Sequence, residues 1–520
     1  MSEKQSPVII DEKSKKLKYL EFQQHGETNR VHKVPDFSFC GYRGGGVAVP
    51  DLGLVVNRLS PSPSIEDDHS RIQAAIDELS KLKPNKDGFR GVLVFGKGVY
   101  RLSETIKIQK SGIVLRGEST ATLVATKRKQ HALIHVQGPK VKMKMKNTVS
   151  ITDDVVPMGA SCVRVTSAED FRKDDWIVVT KTINKKWIDL IDMGQYGWKA
   201  EDYKMKHVRQ ITSVDLKTST IHFDVPLSES IDVRYGGGTV SLLPDGPMTG
   251  LQEIGIENMR LVSEHKGEFD EEHGWQGILF RDCSNCWVRD TIVEKFGYAA
   301  VHLKGLCFQI TVQDVAMLDP KSKIEGGRRY CFCVDAPSSR ILFQRCFARN
   351  GRHSFVSGAR VPGPIVFTHC VAVKCHNDCG PHHRYSVGQL YDNIDTAKLS
   401  VQNRRHSGTG HGWTGNCVIF WSCKIREKMI CETPKSGMNF AVSCQGKLGR
   451  GVWKPVEPLG FVHAFRKLNI EKVVSCCPNS LYLSQLEERL GTKALEATTT
   501  KEQRLGTIWT VLRNRFKEEE

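Results

Sequence analysis

The 520-residue chain has no apolar run near the roughly 20 residues needed to cross a bilayer, so no membrane span is expected. Its polar opening, residues 1–5, leads into no apolar stretch of signal-peptide type. The expectation is therefore a cytoplasmic setting, or export by an unconventional route. The 17 cysteines are odd in number and scattered, which excludes a compact disulfide framework and suits a reducing compartment. Cys283 with Cys286, and Cys375 with Cys379, have the spacing of half a zinc site, but neither has a second half, so no metal is expected there. No Gly-x-Ser-x-Gly turn supports a serine nucleophile, and the glycines at 45–46 and 236–238 lack the lysine of a phosphate loop. Zinc-finger, RRM and helix-turn-helix patterns are missing too.

What is present begins with charge. A formal +17 predicts attraction to polyanions. Without a nucleic-acid motif, nucleic acid is the minor reading, and an acidic polysaccharide or oligosaccharide is the expected partner. The composition, 39% hydrophobic and 26% charged, is that of an ordinary folded protein. Length alone suggests about three domains, but a repetitive core can keep growing by stacking. Nothing in the sequence sets an oligomeric state.

Residues 1–35 are polar and aperiodic, and read as a tail or arm. Residues 36–140 hold an apolar stripe at helical spacing, Ile72, Ala75, Ile76 and Leu79, behind a polar cap at 67–70. Short β-runs with glycine breaks follow, at 91–95, 98–102, 106–108 and 112–117. One capped helix followed by strands with no helices between them excludes a βαβ layout and fits a coiled sheet. Residues 141–240 read as an inserted β-rich subdomain, and 241–475 as the main coil. Residues 476–520 read as a helical cap or lid.

The main coil repeats an apolar–polar–apolar strand. Its polar centres fall at 258, 290, 314, 345, 369, 403 and 422, giving gaps of 32, 24, 31, 24, 34 and 19 residues. One such strand per unit is the signature of a β-solenoid. Cys346, Cys370 and Cys423 share the place after the centre, which predicts an inward cysteine ladder.

The chemistry concentrates in stretches 377–385 and 403–413, which crowd His382, His383, His406 and His411 among arginines and glycines. Histidine exchanges protons near neutral pH and arginine grips carboxylates in a planar fork. The pattern reads as a proton-transfer site for an anionic substrate, with Tyr391 and Trp413 as ring platforms. Against it stands a polar loop that bonds only to itself. Counting eight residues from three centres stacks His353, Asn377 and His411 on one face of neighbouring rungs, about 4.8 Å apart.

The opening Asp36, Phe37 and Gly41, the helix around 68–77, the runs at 92–100 and 115–117, and the later segments 351–358, 380–384 and 408–413 together resemble pectin-lyase-like right-handed parallel β-helix proteins. The C-terminal segments look like an uncharacterised polysaccharide-lyase-like subgroup. The resemblance covers most of residues 36–490. It implies an all-β solenoid with an N-terminal capping helix, and a carbohydrate-active protein. It supplies no catalytic residues, because the calcium-binding aspartates and arginine base of pectate lyases have no counterpart here. Most members of that group are secreted, and this chain departs from them in showing no signal.

The expected reaction is β-elimination on a uronic-acid-containing polysaccharide, which needs a carboxylate neutraliser, a base for the C5 proton and an acid for the leaving oxygen. Arg384 or Arg404, helped by Asn403, would neutralise. His411 or His383 would be the base, and Tyr391 or His406 the acid. His353, Arg360, Asp378, His382 and Trp413 complete the expected binding set. No cofactor is expected, although a divalent cation such as calcium would be compatible. Glycoside hydrolysis is the rival reaction and needs two carboxylates, for which Asp378, Asp392 and Asp395 are candidates. A non-catalytic binding or structural β-helix is the third reading.

Overall fold

The computed structural model describes residues 5–62, 67–118, 121–451, 457–464 and 477–517. The chain is a right-handed parallel β-helix, built on an 18-stranded sheet that wraps two faces and a 7-stranded sheet on the third. Each rung bends between faces at one polar residue in the left-handed region, where a short polar side chain is tolerated. These residues are Asn258, Asp290, Asp314, Arg345, His369, Asn393, Ser422 and Ser443, with φ between 49° and 58°. Seven rungs were legible as polar centres, and the structure corrects one of them. Thr368 pairs with Asp392 and Asp392 with Trp421, so the centre expected at Asn403 is Asn393. The strand Ser386–Val401 keeps pairing on both sides of its bend as one 16-residue strand, and its polar residues are spread over 392–398, which displaced the apparent centre.

After each bend a residue turns inward, and the cysteines at 346, 370, 423 and 444 are buried in one continuous core. Aromatic rings stack between rungs there, Phe343 on Phe367 at 4.7 Å and Phe367 on Tyr391 at 5.1 Å. That distance is the interstrand spacing itself. Cys283 and Cys286 sit in the same core and their thiols donate to the carbonyls of Arg281 and Ser284, so they are buried packing groups.

The capping helix, His69–Lys81, buries Ile72, Ile76 and Leu79. The first rungs then join the later ones directly. Strand His131–Gln137 pairs in parallel with Gly274–Arg281, and Ala121–Ala125 with Arg260–Ser263. The intervening chain folds outside as a six-stranded antiparallel sheet running from Lys146–Ser150 to Gly238–Leu242. Its aromatic loop, with Trp187, Trp198 and Tyr203, packs on Tyr385, Val387 and Trp413 of the solenoid.

The N-terminal segment forms two small hairpins and puts Val8, Phe22 and Val34 against the flank of the coil. The C-terminal helices lie along that flank, across several rungs. Leu481, Tyr482 and Leu486 cover Leu342, Val366, Leu390 and Ile419, while Ile508, Leu512 and Phe516 cover Ala316, Phe347 and Val371. The boundary expected at 475 lies outside the described residues. No helix among the described residues is long and apolar enough to cross a membrane.

Candidate functional site

The third face carries the histidine-rich group. Its strands end, in order, with Ala299–Lys304, Phe332–Val334, Phe355–Ser357 and Gly380–Pro381. Cys333 pairs with Val356, and Val356 with Gly380. Three residues before each of these stand Tyr330, His353 and Asn377, so the register stacks them. His353 and Asn377 were expected to stack this way. Tyr330, one rung earlier, was not foreseen, because counting eight residues from the centre at Asp314 leads to Ser322 instead.

Around that column the rings form one contiguous group. Tyr330 lies 5.1 Å from His353 and 5.2 Å from His382, between ring centres. His382 is 5.1 Å from His383, and His411 is 5.0 Å from both. His411 does not arrive by rung stacking. It comes from a loop after the strand, and the inserted subdomain holds that loop. Trp198 Nε1 donates to the Gly410 carbonyl at 2.9 Å, and a Cβ on Gly410 would meet the Tyr196 carbonyl at 2.2 Å. Only glycine allows the loop to sit so close.

Hydrogen bonds fix the tautomers. His353 Nδ1 is 2.6 Å from the carbonyl oxygen of Asp378 and 3.2 Å from its carboxylate, so Nδ1 carries the proton and Nε2 does not. Arg352 donates to the Tyr330 hydroxyl at 3.3 Å, leaving that hydroxyl to donate to His382 Nε2 at 2.9 Å. His382 Nδ1 then donates to His383 Nδ1 at 3.1 Å. A directed chain Tyr330 to His382 to His383 results.

The electrostatics keep these imidazoles neutral. Burial, then the charge on Arg404, lowers His411 to about 4. Burial and neighbouring His411 lower His383 to about 4, and burial drives His382 far below its ordinary range. Asp378 behaves oppositely. Burial resists its ionisation, but Arg404 and His353 outweigh burial and hold it well below the usual carboxylate range. Arg404 Nη2 donates to both carboxylate oxygens at 2.7 Å.

A cleft of about 560 Å³ opens beside this group. Arg352, Lys398, Arg404, Lys428, His382 and His411 line it, and Asp378 is its one carboxylate. Lys398 also leans on Glu427, at 3.2 Å.

The structure thus brings together His353, Asp378, His382, His383, Arg404 and His411. Arg384 sits at the edge, donating to the Thr409 carbonyl at 2.6 Å. Five expected residues stand elsewhere. Tyr391 lies inside the core, stacked on Phe367, where no substrate reaches it. Trp413 is buried under the inserted subdomain and donates to the Ile191 carbonyl at 3.2 Å, so it is no platform. Asn403 is buried and donates to Glu457 at 2.9 Å. Arg360 donates to the Asp202 carbonyl and covers Tyr203, anchoring the insertion. His406 is exposed at the start of the loop turn, outside the cleft lining. The carboxylates Asp392 and Asp395 belong to the opposite flank: Asp392 accepts from Ser480 at 2.5 Å, and Asp395 pairs with Arg426 and Arg513.

No protein-family model and no curated protein sequence matches the chain. Among solved structures, the tailspike protein gp49 of Pseudomonas phage LKA1 aligns at 11% identity and a TM-score of 0.31, covering 77% of this chain and 72% of the tailspike. The surface adhesin PfbA of Streptococcus pneumoniae aligns at 10% identity and 0.34, covering 82% and 97%. An iota-carrageenase complexed to carrageenan fragments aligns at 9% and 0.32, covering 76% and 58%. Likeness at this level does not inform function, and the fold rests on the strand pairing itself.

Proposed function

We propose that the protein is a polysaccharide lyase that cleaves a uronic-acid-containing polymer by β-elimination in the cleft beside His411. One observation carries the reading: cationic side chains outnumber carboxylates in a cleft whose imidazoles are held unprotonated. Arginine and lysine suit the polymer's carboxylate, and a neutral imidazole among cations is a base ready at neutral pH. Arg352 and Arg404 draw charge from the carboxylate and acidify the C5 proton. His411 Nε2 or Nδ1 takes that proton. The C4–O bond breaks as the C4=C5 double bond forms, and the leaving oxygen takes a proton from Nδ1 of His382, which lines the cleft. Tyr330 reloads His382 at Nε2, Arg352 stabilises the phenolate, and the proton held by His411 returns to that phenolate through solvent, which restores the site. Hydrolysis is less well supported, since the cleft's one carboxylate is already committed to Arg404 and His353.

The test incubates the protein with a panel of acidic polysaccharides and follows the ultraviolet absorbance of unsaturated uronic products. A signal abolished by His411→Ala with folding intact supports the reading. New reducing ends without that absorbance would replace it with hydrolysis, and binding with neither product would make the protein a non-catalytic β-helix.

A further inference from the structure

We infer that His302, Cys333 and Asp335, on the same face, form a binding site for a thiophilic divalent cation of the zinc type. Among the described residues these three offer the one group of metal-ligating atoms lying within 4.8 Å of one another. The strand register puts them there. His302 pairs with Cys333 across neighbouring rungs, and Asp335 follows Cys333 by two residues, which returns it to the same side of the chain. Phe332 and Val334 turn into the core, so Cys333 is forced outward. It is therefore unlike the ladder cysteines at 346, 370, 423 and 444, whose thiols face the core.

The donor set is one nitrogen, one sulfur and one oxygen. A tetrahedral zinc ion with bonds of about 2.0–2.3 Å would place such donors about 3.3–3.8 Å apart. His302 and Asp335 stand at 2.8 Å, a hydrogen bond that a bound ion would replace. Two further observations point to a ligand. His302 is nine-tenths buried, and its Nε2 already faces the Asp335 carboxylate beside Cys333, which makes it the nitrogen an ion there would take. The Tyr298 hydroxyl lies 3.4 Å from the Cys333 sulfur, placed to donate to a metal-bound thiolate. Binding releases the thiol proton and forms the metal–sulfur bond, with no oxidant or reductant required. The inference stands apart from the substrate reading, because its test uses no substrate.

Metal-free protein would be titrated with cobalt(II), and the metal content of freshly purified protein measured by mass spectrometry. One equivalent of cobalt with a thiolate-to-cobalt charge-transfer band is expected. Cys333→Ser should abolish the band, and Asp335→Asn should weaken binding by at least tenfold. If Cys333→Ser does not fold, His302→Gln serves in its place, with the expected result a loss of the tetrahedral cobalt spectrum. No thiolate band in the wild type, or an unchanged spectrum in a folded variant, would overturn the site.

Discussion

The third face and the helix-covered flank are built from the same rungs, yet they treat polar groups in opposite ways. On the flank buried charges meet partners from neighbouring rungs and from the C-terminal helices. Asp392 accepts from Ser480 and the Tyr482 amide, Asp395 pairs with Arg426 and Arg513, and Arg345 bridges Asp314 to Gln503 at 2.6 Å. On the third face beside His411, none of the described C-terminal helices arrives. Imidazoles bond to one another, His353 Nε2 has no partner, and the cleft carries excess positive charge. Satisfied polar groups hold a structure together, whereas neutral bases facing a cationic cleft are free to do chemistry.

Breaking Asp378 from Arg404 should have the largest effect on stability. Arg404→Ala leaves a buried carboxylate without its main partner, and a loss of about 3–5 kcal/mol is expected in chemical denaturation. Adding Asp378→Asn should recover much of it. On the proposed lyase reading, the largest effect on turnover should come from His411→Ala, a fall of roughly 10²–10⁴-fold in kcat with melting unchanged. Tyr330→Phe should also lower kcat, by interrupting the relay. An equal kcat in Tyr330→Phe would remove the relay from the mechanism. On the flank, Asp395→Asn should cost only about 1 kcal/mol, since Arg426 and Arg513 are each about a third exposed, and leave turnover alone.

The pH dependence sharpens the same contrast. His411, His383 and the flank's His369 (about 3) all titrate in the folded protein below the ordinary histidine value near 6.5. The unfolded chain therefore binds more protons in that window. Stability should be full above about pH 6.5 and fall as pH drops toward 4. A melting temperature flat across that range would contradict the burial of neutral imidazoles. The smallest expected effect is that of Tyr391→Phe. Its buried hydroxyl has no partner, so removal should be neutral or mildly stabilising, within about 1 kcal/mol, and turnover should be unchanged.

Much of the solenoid was legible because its constraints are local. A polar residue in the left-handed bend, an inward residue after it and an apolar strand on each side recur along the chain. Asn258, Asp290, Asp314, Arg345, His369 and Ser422 could thus be located by pattern. Asn403 was mistaken for Asn393 because Ser386–Val401 keeps pairing through its bend, and pairing is a property of two rungs. The site was half legible. His353, His382, His383 and His411 stand out by composition, while Tyr330, Arg352, His302 and Asp335 are dispersed among ordinary rungs.

The sequence by itself determined the coil, most of its bend positions and the histidine-rich stretch, since each follows from neighbours along the chain. Only the tertiary structure decided which side chains face one another. Tyr391 went inward and Cys333 outward because a strand sends alternate side chains to opposite faces, and the register sets which. His411 reached His383 because the inserted subdomain, distant in sequence, packs on the loop that carries it.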